Sequence, residues 1–243
     1  MSARIHYSRA PITQALIDIQ VKSDHWVDLA VLACPPPDIK ADYPTGAPVF
    51  TGNATIPLVP GGTPKFEVIQ VGYSYNGRPD HKYIFQTRQE GLTVSRLAPY
   101  ETWENFLDEF RRVWSWYKDV VKSKDIVRLA VRYTNRFDLP LSFQDFREYL
   151  STTPEIGTGL PAGVSGFAMQ LQIPQADLPG MIVFNEALVP PAGEGVVSVL
   201  VDIDVFQTEK IPNNFWERLE RLHDLENKFF EGSITDKARE LIR

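Results

Sequence analysis

Apolar positions recur with period two in several short runs and with period 3.6 in two long ones, which predicts a chain mixing strands and helices. In PITQALIDIQV (Pro11–Val21), Ala15, Ile17, Ile19 and Val21 alternate with Leu16, Asp18 and Gln20, the pattern of a strand. SDHWVDLAVLACPPP follows; it predicts a short helix capped by Ser23 or Asp24 and ended by Pro35–Pro37. Residues 38–64 are rich in Pro, Gly and Thr and read as a long loop, holding at most an edge strand at Val49–Leu58. Lys65–Tyr75, His81–Thr87 and Gly91–Leu97 predict three strands, with NGRPD and RQEG as turns between them. Connections that short imply antiparallel neighbours.

RLAPYETWENFLDEFRRVWSWY (Arg96–Tyr117) opens a helix that the pattern extends to about Lys122. On a wheel of about 100° per residue, Trp103, Phe106, Leu107, Phe110, Val113, Trp114, Tyr117, Val120 and Val121 share one arc. That arc predicts a core face. Trp116 falls outside it, between Arg112 and Asp119, and a tryptophan there marks a candidate partner-binding surface. Asp125–Pro140 is the next strand, and Ser142–Leu150 a short helix with Ser142 as its cap. Three strands follow near 164–174, 180–188 and 195–206. Pro212–Phe230 is the second long helix, stopped by Gly232, and SITDKARELIR adds a last helical turn or two.

The predicted order is strand, helix, three strands, helix, and then the same again. Runs of antiparallel strands with segregated helices define an α+β fold. The expectation is one domain, 1–243, with two pseudo-repeats, 1–122 and 123–243. They would form a saddle-like antiparallel sheet backed by two long helices. Trp103 and Trp216, early in each long helix, fit this duplication. Such a plan implies no function by itself.

Composition narrows the classes. The chain has 243 residues, 25 Lys and Arg against 31 Asp and Glu, and a formal charge of −6. The basic surplus that coats nucleic acid is therefore missing. The single cysteine, Cys34, allows no intrachain disulfide and no cysteine zinc cluster. The opening MSARIHYSRAP has no apolar secretory core, and no apolar run approaches the ~20 residues of a membrane span. These features predict a cytoplasmic protein.

The strand DIVRLAVRYTNRF places Val127, Leu129, Val131, Tyr133, Asn135 and Phe137 on one face and Arg128, Arg132 and Arg136 on the other. A row of arginines is a candidate anion-binding surface, suited to a phosphate. The same row suits ion pairing with Asp202 and Asp204, which share one face of VVSVLVDIDVF. Those aspartates are also weak candidates for a divalent metal, with no third ligand at diagnostic spacing. On the last long helix, Glu226 falls in the apolar arc and His223 stands one turn before it. That spacing predicts a buried ion pair. Walker A, G-x-G-x-x-G, H-E-x-x-H and G-x-S-x-G motifs are all missing, so no catalytic residue is assigned and no cofactor is implied.

YSRAPITQALIDIQV, SRLAPYETWENF with its APY-x-x-W core, VRYTNRFDLP, and LHDLENKFFEGSITDKARELI with its SITDK core occur in that order. Together they resemble a sporadically distributed, uncharacterised family of bacterial proteins of similar length. The resemblance covers essentially the whole chain and implies a bacterial, cytoplasmic protein. It assigns no catalytic residue. Gln14 departs from the acid expected in the first motif. The resulting expectation is a non-catalytic ligand-binding or protein-interaction protein, with a homodimer or protein partner and a small anionic ligand as its candidate contacts. The alternative is an enzyme that handles a phosphate-containing substrate on the arginine-lined face.

Overall fold

The computed structural model describes residues 7–23, 27–55, 63–122, 125–157, 159, 164–175, 179–209 and 211–243. Within them the chain is α+β, with nine strands in the hydrogen-bonding order β2-β3-β4-β5-β1-β6-β9-β8-β7. It divides into two compact units. The first comprises Met1–Ile17, Leu97–Tyr100 and Val127–Arg243; the second comprises Asp18–Arg96 and Glu101–Ile126. The boundary passes through β1 (Ile12–Lys22), so that strand contributes residues to both.

The second unit holds the rest of β1, two short helices, β2 (Thr45–Thr55), β3 (Lys65–Asn76), β4 (Tyr83–Arg88), β5 (Gly91–Leu97) and α3 (Trp103–Val121). The α1 helix (Leu29–Leu32) is capped by Asp28, whose carboxylate accepts from the Ala30 N–H at 2.9 Å. Ser23 does not start it, and Asp24 lies outside the described residues. The prolines act differently from the expectation. Pro36 caps and Pro37 opens a further helix, α2 (Pro37–Asp42), because a proline at the first helical position gives up an N–H that would have no partner. The predicted loop therefore contains most of α2 and all of β2, whose eleven residues pair antiparallel with β3. Leu58, the predicted end of that strand, lies outside the described residues.

In α3, Thr102 caps the first turn by accepting from the Asn105 N–H. Trp103, Phe106, Leu107, Phe110, Val113, Trp114, Tyr117 and Val121 are all buried, as the wheel required. Only Val120 of the predicted arc is half-exposed. Tyr117 donates to the Arg88 carbonyl at 2.9 Å, and Phe106 packs near Tyr83, so the helix lies on β4. Each such aromatic contributes roughly 1.5–3 kcal/mol by leaving water.

The first unit holds β6 (Asp125–Pro140), β7 (Ala168–Gln175), β8 (Gly180–Val189), β9 (Val196–Gln207), α4 (Trp216–Ser233) and α5 (Asp236–Ile242). Strand β6 pairs with β9, β9 with β8, and β8 with β7, all antiparallel. Helix α4 lies against these strands: His223 near Tyr133, Phe229 near Phe184, and Phe230 stacked on Phe137. Phe215, Leu219 and Leu222 are buried, while Phe229 is half-buried.

Two boundaries differ from the sequence reading. Ser142 caps nothing; the predicted helix is one 3-10 turn, Phe146–Glu148, held by a capping box between Asp145 and Glu148. Gly232 does not stop α4. A Cβ there would meet nothing, so the glycine costs only its weak helix propensity, about 1 kcal/mol. The helix ends at Ser233 because Ile234 is extended, drawn into a β-bridge with Leu150. Thr235 then caps α5. No helix among the described residues is long and apolar enough to cross a membrane.

Candidate functional site

The alternation of β6 does bring its arginines onto one face of the first unit, and β9 supplies the opposite charges. Arg132 donates from Nε and Nη2 to the two Asp202 oxygens at 2.6 and 2.9 Å. Asp202, 2% exposed, also accepts from Thr134 Oγ1 at 2.9 Å and from Asn185 Nδ2 at 2.8 Å. Four donated hydrogen bonds replace the water that this buried carboxylate has lost. Arg128 donates to Asp204 at 2.9 Å and stacks over the Phe206 ring at 4.6 Å. Arg136 reaches Asp138 at 3.1 Å and also donates to the Pro190 carbonyl and Ser198 Oγ, each at 2.8 Å. Asp138 was not singled out in the sequence, although Arg136 and Asp138 are two apart on one strand and so share a face.

The opposite face of the same strands treats carboxylates differently. His223 and Glu226 are both buried on the inner side of α4. The Nε2 of His223 lies 2.9 Å from Asn227 Nδ2. Burial pushes Glu226 well above the usual carboxylate range, and the nearby Asp202 charge adds to the rise. That rise favours the protonated form of Glu226 and works against the predicted ion pair with His223.

Glu186 on β8 belongs to the same face and was missed. It has no solvent exposure, and neither carboxylate oxygen has a hydrogen-bond partner among the described residues. Burial alone pushes its carboxyl up to about 8. The signal was available: in GMIVFNEALV, Glu186 is in phase with Ile182 and Phe184, which are buried. The register sets it opposite Val201, itself opposite Asn135, a buried amide whose Nδ2 also lacks a partner among the described residues.

In the second unit a further polar cluster joins residues far apart in sequence. Glu109 on α3 accepts from Tyr43 at 2.6 Å and from Arg112 at 2.8 and 3.1 Å, with His81 at 3.6 Å. Arg112 also pairs with Asp42, which holds Arg78. Burial, then the Glu109 charge, pushes the Tyr43 phenol far up, so it acts here only as a donor. The cluster ties α2, the β3–β4 turn and α3 together.

Trp116 is half-buried, its ring 6.0 Å from that of Phe85 and edge-on to it. Cys34 is exposed. Asp202 and Asp204 each hold an arginine, and no group of three or more His, Cys, Asp or Glu suited to a metal occurs among the described residues. No family model, curated protein or solved structure matches this chain.

Proposed function

We propose that this protein is a non-catalytic binding protein, acting through its surfaces by contact with a ligand or partner. The observation that carries this reading is the engagement of the arginine row by carboxylates of its own unit: Arg132 with Asp202, Arg128 with Asp204 and Arg136 with Asp138. A phosphate seeking Arg132 has to displace a carboxylate already held by Thr134 and Asn185. It would also meet the negative charge of that carboxylate at close range.

Thermal unfolding with inorganic phosphate and a panel of nucleotides tests the reading. A ligand at 100 times its Kd stabilises the folded state by about 2.7 kcal/mol. We expect no shift. A clear shift in the wild type that disappears in Arg132→Ala would favour the other reading, an enzyme or anion binder for phosphate-containing molecules.

A duplicated origin belongs to the same proposal. Strand orders β1-β5-β4-β3 and β6-β9-β8-β7 correspond element for element, each followed in the chain by a long helix, with β2 as an addition to the first half. The two long helices as the backing of the sheet, and a bacterial cytoplasmic setting, complete it.

A further inference from the structure

Strand β8 carries Glu186 onto the side of its sheet that α4 covers. Met169 of β7 and Val201 of β9 flank it, and Asn135 of β6 stands beyond Val201 in the same row. Residues paired across strands share a face, so the neighbouring rows on that side are Phe184–Ile203–Tyr133 and Leu188–Val199–Phe137. Helix α4 is seated on those rows, with His223 by Tyr133, Phe229 by Phe184 and Phe230 by Phe137. Glu226 comes one turn after His223 and one turn before Phe230, which sets it over the row that holds Glu186 and Asn135. Two buried carboxyl groups and a buried amide thus lie under the middle of one helix.

No guanidinium or ammonium group balances a charge there. Neither oxygen of Glu186 has a partner among the described residues, and neither does Asn135 Nδ2, two strand spacings or about 9.5 Å away along the row. The titratable groups on the buried side of α4 are His223, whose Nε2 lies 2.9 Å from Asn227 Nδ2, and Glu226. On β6 there is Tyr133, its hydroxyl engaged with that of Tyr100 at 2.8 Å. The inner side of β9 and the whole of β7 carry none, and Asp202 on the far side of β9 adds only like charge at Glu226. No Lys or Arg occurs among the buried residues of α4 or anywhere in β7, β8 and β9. A charged carboxylate in this place needs water, and a protonated one does not. Burial accordingly raises both acids, Glu186 to about 8.

The two ends of α4 are held in different ways. At its C-terminal end, Ile234 bridges to Leu150, the Ser151 N–H donates to the Ser233 carbonyl at 2.8 Å, and the Thr235 N–H donates to the Tyr149 carbonyl at 3.0 Å. At its N-terminal end, Phe215 stands in the cap position and makes no side-chain cap bond, so packing of Phe215 and Leu219 holds that end. We infer that α4 is the moving part of a pH-dependent device, swinging from its sheet about the Ile234 bridge when the carboxyl groups beneath it ionise. Below neutral pH the acids keep their protons and the helix stays closed. Rising pH charges them, water enters to hydrate the charge, and the swing bares Leu219 and Leu222, which the closed helix hides.

Amide hydrogen exchange of the full chain, read by mass spectrometry from about pH 5 to 9 and divided by the chemical exchange rate at each pH, tests this. An acid that ionises freely only in the open state makes opening about ten-fold easier per pH unit, from its ordinary value up to its folded one. Protection of α4 should therefore fall at least about ten-fold per unit between about pH 5 and 8. Protection of α3 should change far less, because its buried-side carboxylate, Glu109, is held by Arg112 and Tyr43. Glu186→Gln should make the α4 profile shallower by about ten-fold per unit, and Glu226→Gln added to it should flatten what remains. The wild-type comparison of the two helices decides without any variant. If α3 and α4 lose protection in parallel, the chain opens only as a whole and the inference is overturned. An α4 profile that both substitutions leave unchanged overturns it as well. Neither outcome touches the arginine reading, which the anion panel tests separately.

Discussion

The two faces of the β6–β9 sheet handle buried carboxyl groups in opposite ways. On one, Asp202 is as buried as Glu226, and Arg132, Thr134 and Asn185 direct donors at it. On the other, Glu186 has no donor among the described residues and gives up its charge instead. Burial alone therefore does not decide ionisation. What decides it is whether the fold supplies hydrogen bonds and a counter-charge to replace water. The faces are also linked, since the charge of Asp202 helps raise Glu226 behind it.

The largest effect should come from removing the paired acid. Asp202→Ala deletes four hydrogen bonds and leaves Arg132 without its carboxylate. Losing one partner of a buried pair costs about 3–5 kcal/mol, and the 43% exposure of the Arg132 side chain lets it recover some hydration. We expect a loss of about 3 kcal/mol in a urea titration. A loss below about 1 kcal/mol would mean that the pair adds little beyond geometry.

Next is the acid with no donor. Glu186 has a folded-state value of about 8, above its ordinary one. For a raised acid the stabilising contribution is complete below the ordinary value and is lost as pH rises through the folded one. Wild-type stability should therefore fall between about pH 5 and 9, by a few kcal/mol. Glu186→Gln should flatten that fall and be the more stable protein at pH 9. If the two proteins lose stability in parallel across this range, Glu186 is solvated or paired in solution and the contrast between faces collapses.

A third, smaller change sharpens the contrast from the basic side. Arg132→Ala leaves Asp202 with Thr134 and Asn185 still bonded, so the carboxylate is only partly stranded. The expected loss is about 1–2 kcal/mol, less than for Asp202→Ala. Equal losses would show that the two residues act only as a unit. The opposite order would show that the arginine stem, packed on the sheet, matters more than its charge.

How far this was legible depends on the range of the interaction. The face assignments in β6 came directly from alternation, and the α3 core from the helical wheel, because both are set by residues within one element. The pairing of Arg132 with Asp202 needs the β6–β9 register as well, which places Asp202 opposite Thr134 and diagonal to Arg132. The sequence of strand β2 reads largely as loop. Gly46, Pro48 and Gly52 interrupt its alternation, and half of its apolar face is completed by β3. The Tyr43–Glu109–Arg112 cluster is assembled from separate elements, and no local pattern announces it. Asp145 was passed over as a cap for Ser142, although Glu148 three residues later completes a capping box. Gly232 misled in the other direction: a glycine near a helix end is a stop only when the chain needs a left-handed residue there, and here a β-bridge at Ile234 does the stopping.

The smallest effect should be at the end of the arginine row. Arg136 is bonded to Asp138, to Ser198 and to the Pro190 carbonyl, whereas the two hydrogen bonds of Arg132 both go to Asp202. Its acid is different. The Asp138 side chain is 40% exposed, whereas that of Asp202 is 2% exposed. Asp138 can recover water when the guanidinium is removed, and Ser198 continues to donate to it. The pair therefore resembles an exposed ion pair, worth about 0.2–1 kcal/mol and reduced by salt. We expect Arg136→Ala to cost about 0.5 kcal/mol, shrinking further in about 1 M NaCl, while the cost of Arg132→Ala barely moves with salt. Measuring both variants in low and high salt separates hydrogen-bond count from burial. If Arg136→Ala costs as much as Arg132→Ala and is equally insensitive to salt, the number of bonds governs the outcome and the exposure of the acid does not.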